Sequence, residues 1–233
     1  METMADRVRR VRETIAEAAV SSGRKPEEIC LVAASKTMGA EAVREAILAG
    51  VDAVGENRCQ ELKEKLAQGA YTGAPLHFIG HLQQNKLKYL VGKADLIQSV
   101  ENEELLRQID RRAEALGIRQ AVLLQVNIGR EEQKGGADPD RLPELCALAG
   151  TLPHVRLEGL MAVPPVFAGQ ENYPYFEEMY QLFIDIRAKK YNNVSMNILS
   201  MGMSGDYMIG VKNGSTEVRI GTAIFGPRDY GQK

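Results

Sequence analysis

Cysteine is scarce in this sequence: Cys30, Cys59 and Cys146 are scattered along 233 residues and odd in number. With no CxxC pair and no His/Cys cluster, the chain argues against both a disulfide framework and a zinc site. Charge of one sign is not in excess either. The net charge is -2, and the basic face or stripe that nucleic-acid binding demands is missing. No stretch approaches the roughly 18 apolar residues of a membrane span. The first residues, METMADRVRRVRETI, are charged and helix-like and lack the apolar centre of a signal peptide. Internal linkers and low-complexity runs are also lacking. These absences lead us to expect a cytoplasmic, monomeric protein with neither a nucleic-acid nor a membrane partner, folded as one domain over residues 1–233. What is present is ordinary globular composition, 44% hydrophobic and 26% charged, enough for one large core.

Short apolar runs of strand length alternate with longer segments of helical period. Val8, Val11, Ile15 and Ala18/Ala19 mark a first amphipathic helix over 4–22. Strands are expected at Ile29–Ser35, Val51–Gly55, Leu76–Ile79, Ala94–Ser99, Gln120–Val126, Val155–Met161, Met196–Ser200 and Glu217–Gly221. Helices are expected at Glu41–Ala49, Asn57–Gln68, around Gln83–Leu90, from Asn102 to Gly117, and at Arg141–Ala149, Tyr175–Lys189 and Asp206–Val211. The Gly/Pro-containing pieces at 69–75 and 163–174 read as loops. Eight strand–helix units in a chain of this length suggest an α/β protein, a (β/α)8 TIM barrel with an extra N-terminal helix. A doubly wound open sheet is the alternative. It is disfavoured because no GxGxxG turn follows the first strand.

In such a barrel the active site lies at the C-terminal ends of the strands. Lys36 follows the first strand there, Glu56 and Asn57 the second, and His81 the third; Asn127, Met161 and Ser200 close later ones. The last segment, GSTEVRIGTAIFG, is the most informative. Barrels often hold phosphate on backbone amides of the loops after strands seven and eight. Gly221 permits close backbone approach, and Thr222 adds a hydroxyl. Ser200, Gly202 and Ser204 offer similar groups from strand seven. On strand eight, Val218 and Ile220 share the face expected to meet the helix layer, so Arg219 points into the barrel, where it needs a partner: Glu217, another acid, or a ligand. On the same parity Lys36, Ala34 and Val32 point inward. A low-dielectric mouth favours the neutral amine, the form that attacks an aldehyde to make a Schiff base. Lysine amine, phosphate loops and inward arginine together describe a pocket for pyridoxal 5'-phosphate. His77 and His81 are four apart, but His77 heads a strand and Gly80 interrupts, so no metal is expected. His154 reads as an inert loop residue, and Cys59 as a small hydrophobe.

ASKT at 34–37, GEN at 55–57, HFIGHLQQNK at 77–86, QVNI at 125–128, GLM at 159–161, LSMGMS at 199–204 and STEVRIGTAIFG at 215–226 resemble the pyridoxal phosphate homeostasis protein family. The resemblance runs from about residue 7 to Tyr230. That family is similar to the N-terminal barrel of alanine racemase. The resemblance implies a cofactor Schiff base on Lys36, phosphate contacts from Ser200, Gly221 and Thr222, and Arg219 near the pyridine nitrogen. It implies that Asn57 and His81 line the pocket with Met201 close by. An arginine opposite that nitrogen keeps it unprotonated and weakens the ring as an electron sink. The sequence departs from the family at NIGREEQKGG and at Gly205, which bears on loop detail rather than on Lys36.

Three functions remain open: a non-catalytic holder of pyridoxal 5'-phosphate that serves PLP-dependent apoenzymes, an amino-acid racemase or related PLP enzyme, and a cofactor-free Schiff-base aldolase. Racemisation needs an acid/base on each face of the ring. In alanine racemase the resemblance places one of these, a tyrosine, in a second domain, for which this chain has no counterpart segment. Tyr207 and Tyr230 are the remaining substitutes. The aldolase reading leaves the phosphate-type loops and Arg219 less well explained. We therefore expect the carrier.

Overall fold

A computed structural model describes residues 2–131, 133–165 and 169–226. Eight parallel strands close into a barrel in sequence order, with the last paired to the first. They are β1 (Cys30–Ala34), β2 (Ala53–Glu56), β3 (Leu76–Phe78), β4 (Leu96–Val100), β5 (Gln120–Val126), β6 (Val155–Ala162), β7 (Val194–Met203) and β8 (Glu217–Ile220). The helices are α1 (Met4–Ser21), α2 (Ala40–Leu48), α3 (Cys59–Ala67), α4 (Glu103–Ala115), α5 (Leu142–Ala149), α6 (Tyr173–Lys189), α7 (Tyr207–Lys212) and α8 (Thr222–Phe225). The closed ring rules out the open doubly wound sheet. None of the described helices is long and apolar enough to cross a membrane.

α1 starts where Thr3 and Asp6 cap each other: the Thr3 hydroxyl accepts from the Asp6 amide at 3.1 Å, and the Asp6 carboxylate accepts from the Thr3 amide at 3.1 Å. Its buried stripe of Met4, Val8, Val11, Ile15, Ala18 and Ala19 packs on the outer faces of β1 and β8, through Leu31, Ala33, Val218 and Ile220. This is the extra helix anticipated from the periodicity. It also bears out the parity on which the site depends, because the apolar residues of β8 face the helices and Arg219 faces inward. The barrel interior carries Leu96, Ala121, Leu123 and Met161. The larger apolar cluster lies between the other strands and their helices.

Several boundaries differ from the expectation for local reasons. The helix expected from Asn57 begins at Cys59 because Arg58 holds an extended conformation, leaving Asn57 in the β2–α3 loop. The Gln83–Leu90 segment is a 3-10 turn over Gln84–Tyr89. The segment 163–174, read as a loop, contains a 3-10 turn at Gly169–Asn172 and the start of α6, where Pro174 occupies the first turn, a position that tolerates its missing N–H. The short α8 after β8 has no counterpart in the expectation.

Candidate functional site

A cavity of about 390 Å³ opens at the C-terminal mouth of the barrel. Its lining includes Lys36, Asn57, Arg219, Gly221 and Thr222, with Ala34, Ile79, Val163 and Met203 as apolar walls. Five of the eight residues singled out from the sequence therefore share one space, within the usual size range of small-ligand sites.

Lys36 is half-buried, and its flanks are tied down. The Ser35 amide donates to the Gly55 carbonyl at 2.9 Å, and its hydroxyl donates to the Glu56 carboxylate at 2.5 Å. On the other side, Thr37 takes a left-handed conformation with φ of 68°, costly for a β-branched residue. It is held there by its amide donating to Glu61 Oε2 at 2.8 Å. Beneath this loop the Lys65 ammonium donates to the Ser35 carbonyl at 2.9 Å and to Glu56 Oε1, and lies 3.6 Å from Glu61 Oε2. Glu56 is fully buried and Lys65 nearly so. Burial first, and then the Glu56 carboxylate, pushes the neighbouring Tyr71 phenol up. Asn57 enters the cavity because the chain at Gly80 passes hard against it: a Cβ at Gly80 would lie 1.9 Å from the Asn57 carbonyl oxygen.

The floor is a polar network in the barrel interior. Arg219 is buried and donates through Nη1 to the Ser200 hydroxyl at 2.5 Å and through Nη2 to the Ala162 carbonyl at 2.8 Å. Ser200 Oγ stands 2.8 Å from Glu217 Oε1 and 2.7 Å from Gln98 Oε1. Glu217 also accepts from Gln98 Nε2 at 2.5 Å, and its other oxygen is 3.2 Å from His77 Nδ1. Burial pushes the Arg219 guanidinium down, opposed by the charges of Glu217 and Asp206; an arginine keeps its charge at neutral pH regardless. Burial would raise the Glu217 carboxyl, but the hydrogen bond and charge of His77, followed by the hydrogen bonds from Ser200 and Gln98, outweigh it and hold the group below the usual carboxylate range. Arg219 has no direct ion pair with Glu217; Ser200 stands between them.

On the opposite wall, the Gly221 and Ala223 amides donate to the Ser204 hydroxyl at 3.2 and 3.5 Å. Ser204 and Gly205 join the cavity lining. These long, weak bonds leave the two amides free to turn to a better acceptor.

Three expected site residues are not in the lining. Ser200 is fully buried one layer below, occupied by Arg219, Glu217 and Gln98. Met201 is fully buried in the core between barrel and helices. The register of β7 against β8 shifts between Ser200 and Met203, which brings Met203, Ser204 and Gly205 to the mouth. His81 is exposed and lines two neighbouring recesses, because the chain turns outward after Gly80. Tyr207 packs against the cluster under α1 and is outside the lining. Tyr230 lies outside the described residues. No group of three or more potential metal ligands occurs among the described residues. The sequence reading missed Lys65, Gln98 and the structural part of His77. Gln98 had left a signal, an amide in the middle of the apolar strand LIQSV.

A closed parallel barrel with a lysine, an arginine and amide-bearing loops facing one cavity at its mouth defines the class of protein. In agreement, the family model described as "Alanine racemase, N-terminal domain" matches residues 5–229. Within that class the chain is 42% identical to the pyridoxal phosphate homeostasis protein of Aquifex aeolicus, covering 97% of this chain and 98% of that one. It is 39% identical to the protein of the same name from Escherichia coli K12, with full coverage of both. The chain belongs to the pyridoxal phosphate homeostasis protein family. Among solved structures, PipY of Synechococcus elongatus with PLP bound matches with a TM-score of 0.77 at 33% identity, covering 91% of this chain and all of that one. An alanine racemase of Clostridium difficile, 16% identical with a TM-score of 0.68, covers 93% of this chain and 60% of its own; that likeness concerns the fold alone.

Proposed function

We propose that this protein binds pyridoxal 5'-phosphate in the mouth cavity, holds it as a Schiff base on Lys36 Nζ, and serves intracellular PLP homeostasis as a carrier without turnover. The observation that carries this reading is the convergence of Lys36, Arg219, Asn57 and the 203–205 and 221–222 segments on one cavity of about 390 Å³. The residues fit the group: one amine for an aldehyde, apolar walls for a flat ring, and weakly engaged amides for a phosphate. When bound, the cofactor supplies an aldehyde carbon that condenses with an amine. The chain's own residues do the rest. The Glu56–Lys65–Ser35 network holds the Lys36 backbone in place. Arg219 presents a guanidinium fixed by Ser200 and the Ala162 carbonyl, and Ser204, Gly221 and Thr222 offer the phosphate its donors. Ser200 acts through Arg219 rather than by touching the ligand.

A racemase reading is favoured only by the barrel fold. Among the described residues of the lining, Lys36 and Arg219 are the ionisable side chains. Two-sided proton transfer needs a second acid/base, so the lining supports the carrier. On the same reading the chain is one cytoplasmic, monomeric domain over residues 1–233, and its recipients are PLP-dependent apoenzymes.

The decisive experiment is borohydride reduction of the PLP-loaded protein followed by peptide mass mapping. The phosphopyridoxyl mass is expected on the peptide bearing Lys36, and Lys36→Ala is expected to abolish the yellow colour. A label on a different lysine, with colour retained in Lys36→Ala, refutes the assignment. Rapid alanine racemisation by the pure protein refutes the absence of turnover.

A further inference from the structure

Beside the Lys36 cavity, and sharing Asn57 with it, lies a second recess of about 410 Å³ on the same rim. We propose that this recess is a second binding station for an aromatic phosphate monoester, separate from the Schiff-base lysine. Phe78 forms its apolar base and Tyr89 one wall; Arg58, Lys63 and Lys86 supply its charge.

The charge is the main argument. Three basic side chains line the recess and no carboxylate does, although the chain as a whole carries a net charge of -2. Lys63 and Lys86 have no carboxylate within 4 Å among the described residues, and Arg58 reaches Glu61 only at 3.5 Å. Arg58 meets Oε1 of that glutamate, while the Thr37 amide takes Oε2. Arg58 and Lys63 are exposed and Lys86 half-buried, and such a cluster gathers like charges whose repulsion an anion relieves. The Lys63 ammonium lies over the Tyr89 ring, 4.7 Å from its centroid, with Lys88 at 5.0 Å. The Lys88 hydrogen bond and charge, and then Lys63 and Lys86, pull the Tyr89 phenol down, so the field of these lysines meets at one ring.

A second feature adds to it. α3, nine residues long, begins at this recess, and its N-cap Arg58 makes no side-chain hydrogen bond to the first turn. The amides there have no side-chain acceptor of the usual kind. Phosphate suits this combination of lysines, guanidinium and first-turn amides. A flat ring suits the half-buried Tyr89, beside which Phe78 is fully buried. Asn57 lies on the border of both spaces, so a phosphorylated ring passing out of the Lys36 cavity meets this station before bulk water. This route rests on the reading of the Lys36 cavity given above.

The test uses protein whose Lys36 has been closed with borohydride-reduced PLP, titrated calorimetrically with pyridoxine 5'-phosphate, which carries the ring and phosphate but no aldehyde. One further equivalent is expected to bind, more weakly as salt rises. Lys63→Gln and Lys86→Gln are each expected to lower that affinity about tenfold, the loss of one charge-assisted bond. Neither should alter the reduced-cofactor absorbance on Lys36. Tyr89→Ala is expected to weaken pyridoxine 5'-phosphate but not inorganic phosphate. Absence of a further equivalent, or binding indifferent to both lysine substitutions, overturns the proposal while leaving Lys36 untouched. Failure to fix any cofactor on Lys36 overturns the earlier reading instead.

Discussion

Replacing Lys65 by methionine removes one partner of a buried ion pair and leaves the other in place. The Glu56 side chain is fully buried, and the Lys65 side chain retains 6% of its exposure, so water cannot take over. The Ser35 carbonyl loses its 2.9 Å donor in the same step. Stranding a buried charge in this way costs about 3–5 kcal/mol. For a chain of this size each kcal/mol moves the thermal midpoint by about 2–4 °C, so the expected fall is about 6–20 °C. Urea titration checks the energy and a thermal scan the midpoint. The double variant Glu56→Gln/Lys65→Met removes the stranded charge and is expected to recover most of the loss, since a buried pair contributes little net stability over neutral replacements. Ser35 adjoins Lys36, so the single variant should also weaken PLP retention. A Lys65→Met protein within about 1 kcal/mol of the parent refutes the argument, because that outcome means the pair is solvated and the Lys36 loop is held by something else.

Arg219→Ala removes the cavity's guanidinium and leaves Ser200 and the Ala162 carbonyl without their donor; cofactor affinity, measured by equilibrium dialysis, should fall by the equivalent of about 1.5–3 kcal/mol for one charged hydrogen bond. Gly80→Ala places a Cβ 1.9 Å from the Asn57 carbonyl; the forced backbone shift is expected to cost about 1–3 kcal/mol of stability and to reduce PLP binding in parallel, which a thermal scan and a spectral titration will read. Glu217 binds its proton less readily in the folded protein than at the ordinary value of 4.5. The stability it contributes is therefore present above that pH and drains as the pH falls through the lower folded value. Urea midpoints between pH 6 and pH 3 should show a shallower acid limb for Glu217→Gln than for the parent, and identical limbs count against the network.

Much of the architecture was legible because local periodicity reports which face a residue takes. The alternation of Val218, Arg219 and Ile220 put the guanidinium inside and the apolar pair under α1, and the structure agrees. The same parity placed Val32 and Ala34 inward and Lys36 at the rim. The strand Gln120–Val126 coincides with its expected limits. The site was legible only in part. Ser200 and Met201 stand at the end of an apolar run and read as rim residues, yet β7 continues to Met203 and its register slips against β8, so Ser200 sits a layer below the cavity and Met201 points out into the core between barrel and helices. His81 belongs to a distinctive motif, but Gly80 lets the chain turn outward ahead of it.

Alternating faces, glycine-bearing turns and a lysine just past a buried strand follow from the order of residues, since each reflects sterics and solvation within a few positions of the chain. Which side chains meet across the ring does not. Lys65 and Glu56 are nine residues apart, and Gln98 and Glu217 are 119 apart; no local pattern announces either pairing. The first depends on how α3 folds back against the end of β2; the second depends on the stagger with which eight strands close, because that stagger sets the depth of each inward residue and the partner it finds at that depth.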